Sequence, residues 1–444
     1  MPRSPPAPQN VGTPRQDAPS APTVPLPRKS PNPTIPKQTC RSPFKKLLEE
    51  NHDLLPFTTV VLGYHLSGTA TFNLDPPRAV WKIGSLKVPA APYVFVVSAV
   101  IAVFGFNLLV RVGSHRANLL LGIALALAVT AFLTWATADK SLSLVGLLQA
   151  TVVRAVPIAF GGLAGVLCER VGIVNIGIEG MMLAGAFTGA VVGSLVGGYG
   201  GLLAATFVGG LIGLLLAVLT VKFLLDHIIA GVIINMLVLG LTSYAASQVL
   251  VRNPDLNHAS IFRAIDIPFL SQIPLIGPII FSQNIFVYAA LVMLASATYY
   301  LFHTRFGLRA RSVGEYPRAA DTLGIDVLRT RTVHVVLGGM VAGFGGAWFT
   351  LGAVGQFDAN MTAGRGFIGL AAMIFGRWHP MGVLAAAMVF GFADTLQQKL
   401  IILQTPVPSD FLAMAPYIAT IVVVAGLVGR ARAPAADGHN YVKA

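Results

Sequence analysis

Charge is what this chain has least of. Of its 444 residues only 11% are charged, while 55% are hydrophobic and the mean hydropathy is +0.71; an ordinary soluble domain carries about 25% charged residues. So few charges cannot cover a soluble surface, and the chain reads as a polytopic membrane protein. Cysteine is nearly absent. Cys40 and Cys168 are too few and too differently placed for a disulfide framework or a metal site, and no pair of histidines or carboxylates has metal-ligand spacing. No G-x-x-x-x-G-K-S/T phosphate loop occurs, so the chain cannot hydrolyse ATP by that route. A membrane-embedded enzyme finds no support either: there is no nucleophile elbow, no intramembrane histidine pair and no acid/base pair. No catalytic residue and no metal ligand is therefore assigned. The net charge of +13 does not point to nucleic acid, because the arginines cluster in short loops between apolar runs and no basic stripe interleaves with aromatics.

Long apolar runs are what the chain does have. Crossing a bilayer by helix takes about 20 mainly apolar residues. Runs near that length fall at about 91–110, 118–137, 144–167, 174–197, 200–224, 228–251, 284–303, 333–355, 380–400 and 411–429. An eleventh apolar piece, Phe367–Phe375, is too short to cross unaided and reads as re-entrant or as a short span extended by its flanks. The expected fold is all-α, a polytopic transmembrane helix bundle of about 10 or 11 spans. Residues 1–43, rich in Pro, Ser, Thr and Gln and without a signal-peptide core, read as a disordered tail that stays cytoplasmic. Residues 44–90 read as a juxtamembrane segment, with an interfacial or a solvated linker helix over Phe44–Leu55, and residues 430–444 as a C-terminal tail.

Loop charge sets the orientation. The segment 304–332 carries Arg305, Arg309, Arg311, Arg318, Arg329 and Arg331 against Glu315, Asp321 and Asp326, and belongs on the cytoplasmic side. The connection from Arg252 to Gln283 balances Arg252 and Arg263 with Asp255 and Asp266, is broken by four prolines, and suits the outer face. Glycine describes how the spans meet. Gly185, Gly189, Gly193 and Gly197 recur every four residues, and Gly161 with Gly165, Gly209 with Gly213 and Gly339 with Gly343 repeat the spacing, which lets neighbouring backbones approach closely.

Polar groups at membrane depth are the candidates for function. In "ERVGIVNIGIEGMML", Asn175 and Glu179 lie four apart on one helical face, and Gly172, Gly177 and Gly180 leave the backbone free to break. Gly-interrupted helices carrying polar groups are the elements that line transport pathways, although Glu179 can equally brace a neighbouring helix. Asn175, Glu179, Asn235 and Arg365 are the pathway candidates, with Arg154, Asp358, Asn360, Asp394 and Gln397 as further polar residues. Asp394 and Gln397 suit helix-to-helix hydrogen bonding better than cargo contact. The segments Asn175–Gly180 and Gly364–Gly369 are expected to correspond in an internal inverted repeat. Trp348, Tyr244 and Gln248 could stack on or bond to a nucleobase, but such residues more often pack or anchor at the interface. In the cytoplasmic loop, "VGEYPRAADTLGI" places Pro317 at the first turn of a short helix and Gly324 at its end.

"EYPRAADTLGI" resembles the coupling loop of ABC-importer permeases. "LLQATVVRAVPIAFGGLAGVLCERVGIVNIGIEGMMLAGAF", "DHIIAGVIINMLVLGLTSY" and "GRGFIGLAAMIFGRWHPMGVLAAAMVFGFADTL" follow in the expected order, so the chain resembles a permease subunit of bacterial nucleoside-type ABC importers, in the branched-chain amino acid and ribose permease superfamily. The resemblance covers about residues 144–429, an ABC permease domain with the coupling loop inside it. It implies a type II importer-like fold, a multi-pass location in the bacterial cytoplasmic membrane, and alternating access. The implied partners are a second permease subunit, an ATP-binding subunit that holds ATP and Mg, and an extracytoplasmic substrate-binding lipoprotein. No cofactor is implied in this chain. Gly314, Glu315, Pro317, Ala319, Ala320 and Gly324 are the implied coupling residues. Members of this type begin near the equivalent of Leu144, so the tail and the two spans at 91–137 look like an added module. Sugars or branched-chain amino acids are the alternative cargo. A secondary transporter or channel with Glu179 as a proton or cation site is the alternative mechanism, disfavoured because an autonomous carrier has no ATPase to dock.

Overall fold

A computed structural model describes residues 68–75, 84–110, 117–405, 414 and 432–443. The tail at 1–43, the Phe44–Leu55 helix and, apart from Met414, the span at 411–429 lie outside these residues.

The apolar runs fold as helices: α1 (Ala90–Val110), α2 (Ala117–Ala136), α3 (Leu144–Glu169), α4 (Ile178–Val196), α5 (Gly198–Ala217), α6 (His227–Ala245), α7 (Ile285–His303), α8 (Arg305–Glu315), α9 (Pro317–Thr322), α10 (Val327–Ala347), α11 (Arg365–Phe375) and α12 (Pro380–Ile402). Seven of the described helices are long and apolar enough to cross a membrane, counting the wider-wound turns Val218–Lys222, Ala246–Leu250 and Trp348–Val354 that continue α5, α6 and α10. Polar residues mark the starts. Ser143, Asp226, Asn284, Thr304 and Asp326 each accept a hydrogen bond from a first-turn backbone N–H of α3, α6, α7, α8 and α10, satisfying donors that have no partner within the helix.

Helices α3 and α10 are the most enclosed spans, while α6 and α7 stand at the periphery with most of their surface outward. Glycine makes the centre possible. A Cβ added at Gly343 would sit 2.3 Å from the carbonyl oxygen of Ala205 and 2.8 Å from Gly209 Cα, and one at Gly185 would sit 2.3 Å from the Gly343 carbonyl oxygen. Backbones of α4, α5 and α10 thus touch where the four-residue glycine spacing places them. Gly343→Leu is expected to destabilise the bundle by about 3 kcal/mol or more, and the check is loss of a monodisperse, cooperatively melting protein in detergent.

The ends sort by charge. The turn 170–177, the α5–α6 corner, α8, α9 and the segment 432–443 share one end of the bundle, the end to which loop charge assigns the cytoplasm, where Gly314 packs on the Arg170 carbonyl and Phe302 lies between the guanidiniums of Arg170 (5.3 Å) and Arg311 (5.1 Å). At the outer end Asn257, in the proline-rich connection, holds both the N–H and the C=O of Phe357.

The helical bundle stands as expected, with small additions and shifted boundaries. Beside it, β1 (Thr69–Asn73) pairs antiparallel with β2 (Ser85–Pro89) and parallel with β3 (Ser141–Ser143), a three-stranded sheet next to the start of α3. Two further short strands, β4 (Ile265–Asp266) and β5 (Ser282–Gln283), pair in the outer connection. Residues 69–89 alternate apolar and polar side chains over only five residues at a time, a pattern that a search for long runs passes over. The span expected from 333 begins at Val327, because Arg331 is tolerated inside the helix once its guanidinium is bonded. The span expected from 174 begins at Ile178. Residues 432–443 are a packed segment rather than a loose tail, with Pro434, Ala436 and Tyr441 buried.

Helix α2 covers part of α12 through Phe132, Trp135 and Leu396. Lys140 donates to the Leu403 and Gln404 carbonyls at the end of α12 (2.5 and 2.6 Å), placing a cation where a helix leaves its last carbonyls without partners.

Candidate functional site: a charged cavity and a cytoplasmic coupling helix

Helix α11 has 11 residues, about 16 Å at 1.5 Å per residue, half of a hydrocarbon core. It begins inside the bundle, where its first backbone N–H groups need an acceptor. Glu179, in the first turn of α4 and itself buried, supplies the acceptors: Oε1 accepts from Thr362 Oγ1 (2.6 Å) and Gly364 N (2.8 Å), and Oε2 accepts from Gly366 N (2.7 Å). A carboxylate is favoured at a helix N-terminus because the aligned peptide dipoles place positive charge there. Gly364 takes a left-handed φ of +79° to turn into the helix, and a Cβ at Gly366 would lie 2.8 Å from Glu179 Cα. The two Gly-interrupted segments therefore meet in the bundle interior, one approaching from each side.

Asn235, on α6, completes the break before α4. Its Oδ1 accepts from Gly180 N (2.8 Å) and its Nδ2 donates to the Ile176 carbonyl (2.9 Å). Asn175 is fully buried, its amide facing Cys168 Sγ (3.4 Å) and Met181 Sδ (3.6 Å). Among the residues expected on a pathway, Glu179, Asn235 and Asn175 thus contact the protein's own backbone and sulfurs.

Arg365 is placed differently. A cavity of about 620 Å³ opens between α3, the turn after α10 and the start of α11, lined by Gln149, Arg154, Trp348, Phe349, Asp358 and Arg365 among others. Asp394 of α12 joins the two cations, its Oδ2 lying 3.0 Å from Arg154 Nη1 and 3.3 Å from Arg365 Nη2. Arg154 also donates to Gln398, and the Arg365 guanidinium stands 5.8 Å from the Phe349 ring centre. Arg154 is ten residues into α3 and Asp394 fourteen beyond the start of α12, so the cluster sits near mid-depth. All three side chains remain partly accessible, which lipid would not tolerate and which water or a polar partner would. Asp358 also lines a second cavity, of about 470 Å³, with Asn257 and His258 on the outer side. Phe349 and Gln398 were missed at the level of sequence, where nothing separates them from packing residues. Asp394, expected in helix-to-helix hydrogen bonding, bonds Arg154 of α3, and Arg154 takes Gln398 rather than Gln397 as its second partner on α12.

At the cytoplasmic end, Pro317 opens the six-residue α9 and Gly324, at φ +79°, follows it. Ala320 is buried, Ala319 O accepts from Leu323 N, and Gly314 ends α8 against Arg170. Glu315 is exposed and accepts from Ala435 N (3.2 Å). Burial lowers the proton affinity of Arg170 next to Arg311, and burial pushes the Asp437 carboxyl up to about 6 against the opposing pull of Arg331.

A broken-helix bundle with charges facing a cavity at mid-depth defines a transport permease. The chain belongs to the family described as the branched-chain amino acid transport system permease component, whose pattern matches residues 147–431. That family is a permease component of ABC transporters, not itself the ATPase, and the chain is a multi-pass protein of the bacterial cytoplasmic membrane. It is similar to the nucleoside ABC transporter permease protein NupC of Lactococcus lactis, 40% identical over 305 residues that cover 66% of this chain and 95% of that relative. It is also similar to the guanosine ABC transporter permease protein NupQ of Bacillus subtilis, 40% identical over 308 residues covering 67% and 96%. A putative glucose ABC transporter permease protein, TsgC13 of Haloferax volcanii, is 32% identical over 259 residues, covering 57% and 77%. No solved structure matches the chain significantly. Helices α1 and α2 and the strands β1, β2 and β3 precede the matched residues.

Proposed function

We propose that this chain is one of two permease subunits of an ATP-driven nucleoside importer, and that cargo passes along the face carrying Arg154, Asp394 and Arg365. The observation that supports this most directly is the mid-depth cluster itself. It offers guanidinium and carboxylate partners for ribose hydroxyls beside the ring of Phe349, which suits a ligand with one polar and one flat apolar part. The names of the nucleoside and guanosine relatives agree with that chemistry. The glucose relative keeps a second reading open, the same machinery moving a simple sugar.

The proposed partners are a second permease, an ATP-binding subunit and an extracytoplasmic binding lipoprotein. ATP and Mg bind the partner, and this chain holds no cofactor. Closure of the ATPase pair pushes on α9, and the helix ends joined to it move the spans around the pathway; only contacts that differ between inward and outward states can drive the exchange. The test is uptake of labelled purine nucleosides, ribose and leucine by cells with and without the gene, with Glu315→Lys as the coupling control. Nucleoside uptake is expected to vanish in both the deletion and Glu315→Lys. Loss of ribose uptake alone would replace the cargo, and unchanged uptake of all three would overturn the reading.

A further inference from the structure

The segment 432–443 ties the coupling helix to the cytoplasmic ends of the bundle. Ala436 N donates to the Gly314 carbonyl (2.9 Å) at the end of α8, and Gly438 N to the Gly172 carbonyl (3.2 Å) in the turn after α3. The Asn440 side chain donates to the Leu224 carbonyl (2.6 Å) at the α5–α6 corner and pairs with His227 Nε2 (2.9 Å) at the start of α6. Beneath the segment, Arg331 of α10 is only 1% exposed and donates to the carbonyls of His439 (2.9 Å) and Val171 (3.1 Å). Tyr441, buried, reaches the coupling helix itself, where its hydroxyl donates to Asp321 Oδ2 (2.8 Å).

Fixing a chain segment costs about 1–2 kcal/mol per residue in backbone entropy, so the contacts on its inner side are extensive for a reason of position. Among the described residues its outer side is exposed: Val442 is 67% exposed directly after the tyrosine that grips Asp321, and the Lys443 ammonium lies 3.9 Å from the other oxygen of the same carboxylate. On α9 and its flanks Leu323 is 80% and Tyr316 63% exposed. Exposed apolar residues on the same end of the bundle as the exposed cations Arg318, Arg329 and Lys443 have the composition of a protein interface.

We infer that Val442 and Lys443, held in place by the buried Tyr441, form together with α9 one composite docking surface for the ATP-binding subunit, so that the partner grips the strap as well as the coupling helix. The strap then carries displacement of α9 to the ends of α3, α6 and α10 through the bonds above. This rests on the importer reading of the preceding subsection.

The test places a photo-crosslinking amino acid in the full chain at position 442, 323 or 203, co-expressed with the ATP-binding subunit. Leu203, exposed on the span α5, is the control for a lipid-facing site. Crosslinks to the ATP-binding subunit are expected at 323 and 442 and not at 203. A crosslink at 323 without one at 442 overturns the composite surface and leaves the importer reading standing. Absence at both overturns the coupling reading and this inference with it. In parallel, Val442→Asp, a surface change that leaves every bond of the strap in place, is expected to reduce co-purification of the ATP-binding subunit roughly tenfold, the effect of a single desolvated interface residue. Unchanged co-purification would overturn the inference.

Discussion

Glu179→Ala is expected to lower the stability of the bundle by about 3 kcal/mol and to abolish uptake, because it removes three charge-assisted hydrogen bonds at once. Of the donors left behind, Thr362 Oγ1 and the Gly366 N–H are buried and the Gly364 N–H is partly buried, and an unpaired buried donor costs more than the bond it loses. Glu179→Gln tests the charge separately. One amide oxygen can still accept, but the NH₂ would face an N–H donor, so an intermediate loss is expected. The check is thermal unfolding in detergent with hydrogen exchange at residues 364–368. An unchanged melting temperature would mean that α11 is capped by some other group. The same geometry speaks against Glu179 as the proton site of a secondary transporter, since both of its oxygens are occupied by donors of this chain.

Asp394→Ala is expected to reduce uptake roughly tenfold or more, the equivalent of about 1.4 kcal/mol, while leaving co-purification of the ATP-binding subunit unchanged. Without the carboxylate, Arg154 and Arg365 face each other as two cations at mid-depth, and like charges there repel and are costly. The loss in stability is expected to be modest, about 1 kcal/mol, because all three groups are partly accessible and screened. Asp394→Glu should restore part of the uptake by reaching the same guanidiniums. If Asp394→Ala transported normally, the cluster would be a brace between α3, α11 and α12 and the pathway would run elsewhere. The split between uptake and docking separates this variant from Glu315→Lys, which acts at the proposed cytoplasmic end, about 15 residues of helix away from Arg154 by the remaining length of α3.

Most of the spans were legible because the driving signal, about 20 apolar residues, is local and large. The short helix Pro317–Thr322 was legible for a similar reason: Pro317 and Gly324 each restrict or free the backbone at a fixed place. Glycine spacing foretold close approach, and the structure supplies the partners, Gly343 against Gly185 and Gly209. Less was legible where one residue's role depends on a distant neighbour. For Glu179 the sequence left a pathway role and a bracing role open, because its partners are 183 to 187 residues further along the chain. Arg331 looked like an ordinary loop cation until the segment 432–443 closed over it.

By itself the sequence determined that this chain lives in a membrane, where most helices begin and end, and which family it belongs to, because hydropathy and turn residues act within a few residues of where they stand. Only the tertiary structure decided which polar groups are braces and which face a cavity, that the two broken segments meet through Glu179, and that Tyr441 holds Asp321. Those outcomes depend on hydrogen bonds between residues far apart in the chain. In a low-dielectric interior the worth of a carboxylate or guanidinium is set by the partner that the fold brings to it.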